Sequence, residues 1–300
     1  MDVSRTQFLP FEITDINEPS IIANQLEINE SPETRATCLE ILRQNLKNLE
    51  NIDPLLDDSF LLSFLRVSKF DSQKALQRVQ KFYQQYDVLL DAYKRCTMPL
   101  HKAQKLDYLR VSPYRLKNNS FLLIGYNKKI DYKKYTFGER FYTDVLACHN
   151  LIENPVNQIC GVTFLFDYEG FNIQAFLAYT PGWVRIFLSS FLDAFPCRLK
   201  ALHLVNVPPL FSTVYKMAQP FLPKKTQERV FFHSTNGDWQ NLHASIPREV
   251  LPEQYGGKIK NDDLINCLEN IEDLEKKFLK SFAYGSLENQ HRRKSMKVLC

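Results

Sequence analysis

The stretch "LHLVNVPPLFSTVYKMAQPFL", residues 202–222, joins a short apolar run directly to a longer amphipathic pattern. The run over residues 201–206 is too short for a buried helix, so it predicts a buried strand. From Leu210 onward, apolar residues recur at spacings of three and four, which predicts a helix with a wide apolar face. A strand that leads into an amphipathic helix is the repeating unit of an α/β domain.

Three further apolar runs of similar length lie on either side of this stretch, at residues 121–126, 161–167 and 230–233. Segments of helical length separate the runs, and that alternation typically gives parallel strands joined by right-handed helical crossovers. The sequence therefore predicts an α/β domain with a mostly parallel sheet over residues 105–258. The turn "LPEQYGG" at residues 251–257 closes it.

The flanking segments differ from this domain. Residues 31–97 carry amphipathic stripes and predict a small N-terminal helical bundle, with Ser31 able to cap its first helix. Residues 1–30 show weak periodicity and predict an irregular lead-in. Residues 261–284 predict a C-terminal amphipathic helix, and residues 285–300 predict a disordered basic tail. The stripe of the C-terminal helix comprises Leu264, Leu268, Ile271, Leu274, Phe278 and Phe282.

Composition restricts the class of protein. The chain of 300 residues has a net charge of +4, so nucleic-acid binding driven by overall charge is not expected. Its seven cysteines form no CxxC pair, and the N-terminus lacks the apolar region of a signal peptide. No run reaches the ~18 apolar residues of a membrane-spanning helix. These features are typical of a cytoplasmic protein with reduced thiols.

Signals for catalysis are weak. The motifs of nucleophile elbows, P-loops and dinucleotide-binding turns are missing, and the histidines lack metal-ligand spacing. Asp167 and Glu169 follow a predicted strand, where they form either a general acid–base pair or a structural turn. His203 and His233 lie in apolar strands, where core histidines are more common than ligands. We therefore expect no enzyme activity, no metal and no cofactor.

Aromatic residues form two regular patterns. In "TPGWVRIFLSSFLDAFP", residues 180–196, an aromatic ring recurs every four residues along one helical face. Val162, Phe164 and Phe166 share one face of a predicted strand by the two-residue period. Such stripes belong either to an ordinary core or to the wall of an apolar cavity, and the patterns alone leave both open.

Four motifs together resemble the CRAL-TRIO lipid-transfer family: "DDSFLLSFLRVSKFDSQKAL" (57–76), "FDYEGF" (166–171), the opening stretch and "LPEQYGG". They follow the family's order over about residues 30–260. The resemblance implies that the sheet and helices enclose one hydrophobic ligand beneath a lid helix, here at residues 209–222. It implies a pocket wall formed by Phe141, Asp144, Cys148, Val162, Phe164, Phe166, Phe187, Ser190, Phe191, Phe195, Leu202, Phe211, Val214 and Met217.

Two of these positions depart from the family pattern. Asp144 and Cys148 stand where relatives carry small hydroxyl residues near the ligand's polar head. A carboxylate inside an apolar pocket is costly unless it is paired or hydrated, so either Asp144 turns away or the ligand has a different polar end. The ligand class therefore stays open between a retinoid, a tocopherol-like isoprenoid, a carotenoid and a phospholipid. Ser190 would supply one polar contact.

The resemblance also implies a basic site for a phosphoinositide headgroup beside the lid, formed by Lys69, Arg198, Lys200, Lys225 and Arg229. Ser68 and Gln227 replace basic residues of the family pattern, which favours a general anionic-membrane patch over a specific headgroup pocket. A second basic segment, residues 126–140, is either a solvated loop or a nucleic-acid surface, and the loop is favoured.

The expected function is non-enzymatic binding and intermembrane transfer of a small hydrophobic ligand, with lid opening at anionic, phosphoinositide-containing membranes. The expected protein is a cytoplasmic monomer that associates transiently with membranes and does not bind nucleic acid. The alternative is a lipid-gated adaptor that recruits a partner through its basic face and C-terminal helix.

Overall fold

The computed structural model describes residues 8–94, 105–233, 238–281 and 284–287. The N-terminal helices are α1 (Pro19–Glu27), α2 (Pro32–Lys47), α3 (Asp58–Val67) and α4 (Ser72–Lys94). The later helices are α5 (Phe137–Leu151), α6 (Pro155–Cys160), α7 (Ile173–Ala178), α8 (Pro181–Leu188), α9 (Phe211–Ala218), α10 (Lys224–Gln227), α11 (Gln240–Ser245) and α12 (Ile271–Ser281). Among the residues described, no helix is both long enough and apolar enough to cross a bilayer.

A six-stranded sheet organises the chain. Its strands are β2 (Leu109–Val111), β3 (Phe121–Tyr126), β4 (Val162–Asp167), β5 (Leu199–Val205), β6 (Val230–Phe232) and β7 (Ile265–Asn266), after a short β1 (Ile52–Asp53) that lies outside the sheet. The spatial order is β6-β5-β4-β3-β2-β7. Strands β3 to β6 run parallel, whereas β2 and β7 add antiparallel at one edge. The predicted α/β fold with a mostly parallel sheet is confirmed.

The central strands bury different residues on their two faces. Leu122, Ile124 and Leu165 pack in a cluster with α11 and the segment around residue 255. Val162 and Phe164 lie on the opposite face, toward the helices that follow β3 and β4. This alternation follows from the two-residue period of a strand, and it leaves one face of the sheet available for a cavity.

Helices α2, α3 and α4 form the bundle predicted over residues 31–97, of which residues 95–97 lie outside the described residues. The hydroxyl of Ser31 accepts a hydrogen bond from the Thr34 amide and so caps α2. Arg66 of α3 is buried, and its guanidinium donates to the carboxylate of Glu30 and to the side-chain oxygen of Gln158. The bundle is thereby fixed to α6 of the α/β domain.

The lead-in over residues 1–30 was predicted to be irregular, and this is wrong for Pro19–Glu27, which forms helix α1. Proline suits the first helical turn, and Ile21 is fully buried. The helix has nine residues, so its apolar pattern repeats too few times to stand out in the sequence.

The C-terminal helix was predicted over residues 261–284, but it begins only at Ile271. Residues 265–266 instead pair with β2, and Asn270 has a positive φ of 58°, which a continuous α-helix does not allow. Leu264 and Leu268 are buried without being helical. The tail prediction is wrong for β8 (Gly285–Ser286), which pairs with β1, and residues 288–300 lie outside the described residues.

Candidate functional site: an apolar cavity with a polar end

A cavity of about 170 Å³ lies between the sheet and helices α5, α8 and α9. Its wall is almost entirely apolar. The predicted wall residues that border it are Asp144, Cys148, Val162, Phe164, Phe166, Phe187, Phe191, Phe195, Leu202, Phe211 and Val214. The volume is below the ~300–1,000 Å³ of typical ligand pockets, so a lipid-sized occupant requires the lid or the wall side chains to shift.

The floor of the cavity depends on a close approach between two strands. Phe164 and Phe166 of β4 project from the same face, and their rings stack with centroids 5.3 Å apart. Gly125 of β3 lies beside Phe166, and a Cβ there would come within 2.6 Å of the ring. Glycine at this position therefore allows the Phe166 ring to lie across the neighbouring strand.

The aromatic stripe of residues 180–196 forms one side wall. The Phe187 and Phe191 ring centroids are 4.8 Å apart, and those of Phe191 and Phe195 are 5.7 Å apart. The helix changes from α to π geometry over Ser189–Ala194. A π segment contains more residues per turn than an α-helix, so it alters the directions that regular helical spacing predicts.

Three predicted wall residues lie elsewhere, and these assignments are corrected. Phe141 is buried one layer behind the wall, with its ring 5.6 Å from that of Phe187. Ser190 lies in the π segment and donates its hydroxyl to Gln85 of α4, 3.0 Å away. Met217 is off the lid's inner stripe, which consists of positions 211, 214, 215 and 218.

The cavity has one polar end, which the sequence did not reveal as a unit. Arg140 and Asp144 are one turn apart on α5, and Arg140 Nε lies 3.6 Å from Asp144 Oδ2. Arg140 Nη1 donates to the hydroxyls of Tyr132, 2.7 Å away, and of Tyr179. Tyr108 donates to Asp144 Oδ1 at 2.6 Å. Asp144 thus borders the cavity as a paired carboxylate.

Burial and pairing act in opposite directions on these groups. Burial raises the pKa of Asp144, although Arg140 and the Tyr108 hydroxyl favour its ionised form. Burial tends to lower the pKa of Arg140, but Tyr132, Tyr179 and Asp144 outweigh it and the pKa is raised. Arginine remains a cation in proteins, so Asp144 is its counterion.

Other wall residues were also missed, among them Phe137, Tyr168, Leu188, Tyr215, Ala218 and Leu222. For the lid, a signal was present in the sequence. Tyr215 and Ala218 continue the spacing of Phe211 and Val214 by four residues each, so one helical stripe contains all four. Tyr168 lies beyond β4 and carries no such pattern.

The predicted basic site contains its own carboxylate. Arg198 Nη2 and Lys200 Nζ each lie 2.7 Å from a different oxygen of Glu27 in α1, and Lys69 Nζ lies 4.0 Å away. We call Lys69, Arg198, Lys200 and Glu27 the Glu27 cluster. Burial raises the pKa of Glu27, but the hydrogen bond from Lys200 and the nearby cations lower it overall. The helix that supplies Glu27 is the one that the sequence did not predict.

The basic residues of the predicted site differ in their exposure to solvent. Arg198 is buried and also donates to the Ile159 carbonyl, and Arg229 donates to the Leu199 carbonyl. Lys225 is exposed and borders a polar concavity of about 530 Å³ that Lys69 and Ser68 also line. Gln227, which replaces a basic residue of the family pattern, donates to the Leu222 carbonyl at 2.9 Å.

Exposed aromatic rings accompany the basic residues at the lid. Phe221 is 48% exposed, Phe231 42% and Phe232 49%. Phe221 ends the lid segment, and the two others belong to the edge strand β6. Lys224 and Lys225 lie between them in the chain and are also exposed. Phe232 lies against Tyr215 of α9, with ring centroids 5.0 Å apart, whereas Phe231 stacks on His203 at the opposite face of the sheet. Large exposed apolar side chains near cations, such as Phe221 and Phe232, are typical of surfaces that contact membranes or partners.

Asp167 and Glu169, the candidate acid–base residues, take part in a hydrogen-bonded turn. Asp167 accepts hydrogen bonds from Asn206, 2.8 Å away, from the Glu169 amide and from the Tyr255 hydroxyl, so both carboxylate oxygens are occupied. His203 Nδ1 lies 2.8 Å from His233 Nε2 within the sheet edge. The part of the chain that the structure describes contains no group of side chains suited to a metal ion.

The second basic segment pairs with carboxylates. Lys128 lies 2.7 Å from Glu169, and Lys129 lies 2.9 Å from Asp107. These pairs reduce the positive charge that a nucleic acid would meet, which agrees with the solvated-loop interpretation.

The fold and the site together define an α/β protein with an internal apolar cavity that is bordered by the short helix α9. The sequence model of the CRAL/TRIO domain matches residues 107–257, and the chain belongs to this family. It is 28% identical over 250 residues to an alpha-tocopherol transfer protein-like protein of Homo sapiens, covering 83% of this chain and 72% of that protein.

Two further similarities were found. The chain is 30% identical over 251 residues to clavesin-2 of Homo sapiens, covering 80% of this chain and 74% of that protein. A solved structure titled "Crystal structure of Sfh5" overlays with a TM-score of 0.46 at 15% identity, covering 84% of this chain and 99% of that one.

Proposed function

We propose that this protein binds a small hydrophobic molecule in the cavity and transfers it between membranes without catalysis. The observation that carries the proposal is the almost entirely apolar wall of the cavity, because burying about 400 Å² of ligand surface is worth ~10 kcal/mol before the costs of association. Membership of the CRAL/TRIO family and the name of the tocopherol-transfer relative support it. Release into water is then slow, and a membrane is the natural acceptor.

The test compares two tryptophan substitutions in the lid helix. Ala218→Trp adds a large ring at the cavity wall, whereas Ser212→Trp adds the same ring at an exposed position of the same helix. Native mass spectrometry of protein purified from cells, followed by lipid extraction, measures the bound molecule. We expect a bound apolar compound in the wild type and in Ser212→Trp, and its loss in Ala218→Trp. Equal occupancy in the two variants, or no apolar compound in any sample, would contradict the proposal.

We further propose that the lid faces an anionic membrane, and that phosphoinositides are among the lipids it meets. The exposed rings of Phe221 and Phe232 would enter the interface while Lys224 and Lys225 meet the headgroups. Each cation near an anionic surface is worth about 1 kcal/mol. We therefore expect a cytoplasmic monomer that associates transiently with membranes and opens its lid there.

This second proposal is tested with paired lysine substitutions. Lys224→Ala with Lys225→Ala should weaken binding to phosphoinositide-containing vesicles roughly 10- to 30-fold at ~0.15 M salt. Lys133→Ala with Lys134→Ala makes the same charge change at exposed positions of the second basic segment and should have little effect. Arg198 is left unchanged because its side chain is buried. Equal losses in both double variants would refute a localised membrane surface.

The adaptor alternative loses part of its basis. Helix α12, which was expected to recruit a partner, instead buries Phe278 against α5, with its ring 6.0 Å from that of Tyr142. The apolar face of this helix is therefore already occupied within the protein.

A further inference from the structure

The polar end of the cavity has a charge arrangement that bears on the kind of ligand. One cation, Arg140, and one anion, Asp144, border an otherwise apolar wall. Their separation of 3.6 Å makes an ion pair but is too long for a hydrogen bond. Arg140 Nε is buried and has no hydrogen-bond partner within the described part of the chain.

Because the pair is internally neutral, the charge of a ligand's polar group decides its cost. A carboxylate would place a second anion beside Asp144 with a single cation to share, and a buried uncompensated charge is strongly unfavourable. A carbonyl or hydroxyl oxygen adds no charge and can accept a hydrogen bond from a donor such as Arg140 Nε, whose lack of a partner is itself costly.

We propose that the Arg140–Asp144 pair selects ligands whose polar end is a neutral oxygen acceptor, namely an aldehyde, ketone or alcohol, and rejects the free carboxylic acid of the same chain. The inference rests on the proposed function, since it assumes that the cavity holds the ligand. It assigns to Asp144 the role of a specificity-determining residue that acts by neutralising Arg140.

The pair also explains how a carboxylate such as Asp144 can lie in an apolar wall. Tyr108 donates to one carboxylate oxygen at 2.6 Å, and Arg140 lies beside the other. Arg140 is itself held by the hydroxyls of Tyr132 and Tyr179. Because three tyrosines fix the pair, the two charged groups stay together. Neither is free to leave the other and pair with a charged ligand.

The experiment uses the full-length protein and three probes with one 12-carbon chain: 1-dodecanol, dodecanal and dodecanoic acid, at pH 8, where the free acid is ionised. Displacement of Nile red, a neutral fluorophore, measures their relative affinities. We expect the alcohol and the aldehyde to bind at least ~10-fold more tightly than the acid. An acid that binds as tightly as the alcohol would overturn the proposal.

A single substitution should remove the preference. Asp144→Asn keeps an oxygen that accepts from Tyr108 but leaves Arg140 without its counterion, so the acid should gain about 10-fold and bind about as tightly as the alcohol. Asp262→Asn makes the same chemical change at an exposed residue outside the cavity and should leave the ratio as it is. An unchanged ratio in folded Asp144→Asn would refute the role of Asp144.

The outcomes separate this inference from the proposed function. Displacement by all three probes with equal affinity refutes the selectivity and leaves the carrier function intact. Failure of every probe to displace Nile red, together with no extractable apolar compound, overturns both. The wild-type ratio alone decides the inference if the variant does not fold, as judged by circular dichroism.

Discussion

Neutralising Glu27 should strengthen binding to anionic membranes. Glu27 sets one negative charge among Lys69, Arg198 and Lys200, so Glu27→Gln raises the net charge of the Glu27 cluster by one. One unit of charge at an anionic surface is worth about 1 kcal/mol, which corresponds to ~5-fold in affinity. The carboxylate is 42% exposed, so it is accessible to a competing anion.

The substitution should also cost some stability. Arg198 is buried and keeps only its bond to the Ile159 carbonyl among the contacts described above, so we expect the free energy of unfolding to fall by about 1 kcal/mol. The two effects therefore have opposite signs. A variant that is slightly less stable yet binds vesicles more tightly is hard to explain by general damage to the fold.

The assay is vesicle co-sedimentation with phosphatidylcholine containing phosphatidylserine or a phosphoinositide, at ~0.15 M and ~0.5 M salt. Glu12→Gln, a substitution at an exposed lead-in residue outside the cluster, makes the same change in net charge. We expect the gain only for Glu27→Gln, and expect it to shrink at the higher salt. The reasoning fails if both variants gain equally, or if Glu27→Gln binds no more tightly than the wild type.

Three further predictions concern stability, each measured by urea unfolding. Arg140→Met should lower the free energy of unfolding by about 3–5 kcal/mol, while Arg140→Met with Asp144→Leu should recover most of that loss; additive losses would contradict the pairing. Burial beside a second histidine lowers the pKa of His203 to about 4, so the folded state favours the neutral ring. The neutral ring therefore contributes stability that is complete above pH 6.5, the ordinary pKa of histidine, and that is lost as the pH falls toward 4. The wild type should lose about 2 kcal/mol more of its free energy of unfolding between pH 7.5 and 5.0 than His203→Asn does; an unchanged pH dependence would refute this. Phe141→Ala should cost about 3–5 kcal/mol, and Phe187→Ala, whose ring already borders the cavity, less than ~2 kcal/mol; equal costs would mean that Phe187 is ordinary core.

Local periodicity was sufficient for the four parallel strands and for the face of β4 that borders the cavity. The two-residue period of β4 already puts Val162, Phe164 and Phe166 on one face, and the structure places them on the cavity side. Strands β2 and β7 have three and two residues, which is too short for any pattern to show. Their existence depends on pairing between segments far apart in the chain.

The polar end of the cavity could be predicted only in part. Arg140 and Asp144 are four residues apart, so a shared helical face was readable from the sequence. Their partners Tyr108 and Tyr179 come from segments more than thirty residues away, and no local pattern connects them. From the sequence, Asp144 could either turn away or meet a ligand with a different polar end, and the structure adds that Arg140 lies beside it as a counterion.

The same chemistry, a cation provided with an internal carboxylate, occurs twice with different consequences. Asp144 and Arg140 lie on one helix at a fixed separation and are held by buried tyrosines, so a ligand must accept the pair as it is. Glu27 lies on a separate nine-residue helix and is partly exposed, so a stronger anion can replace it without unfolding the sheet. A fixed counterion favours selection among ligands, whereas an exchangeable one favours response to a surface. If this distinction holds, Asp144→Asn will change which molecule is bound and not where the protein docks, and Glu27→Gln will do the reverse.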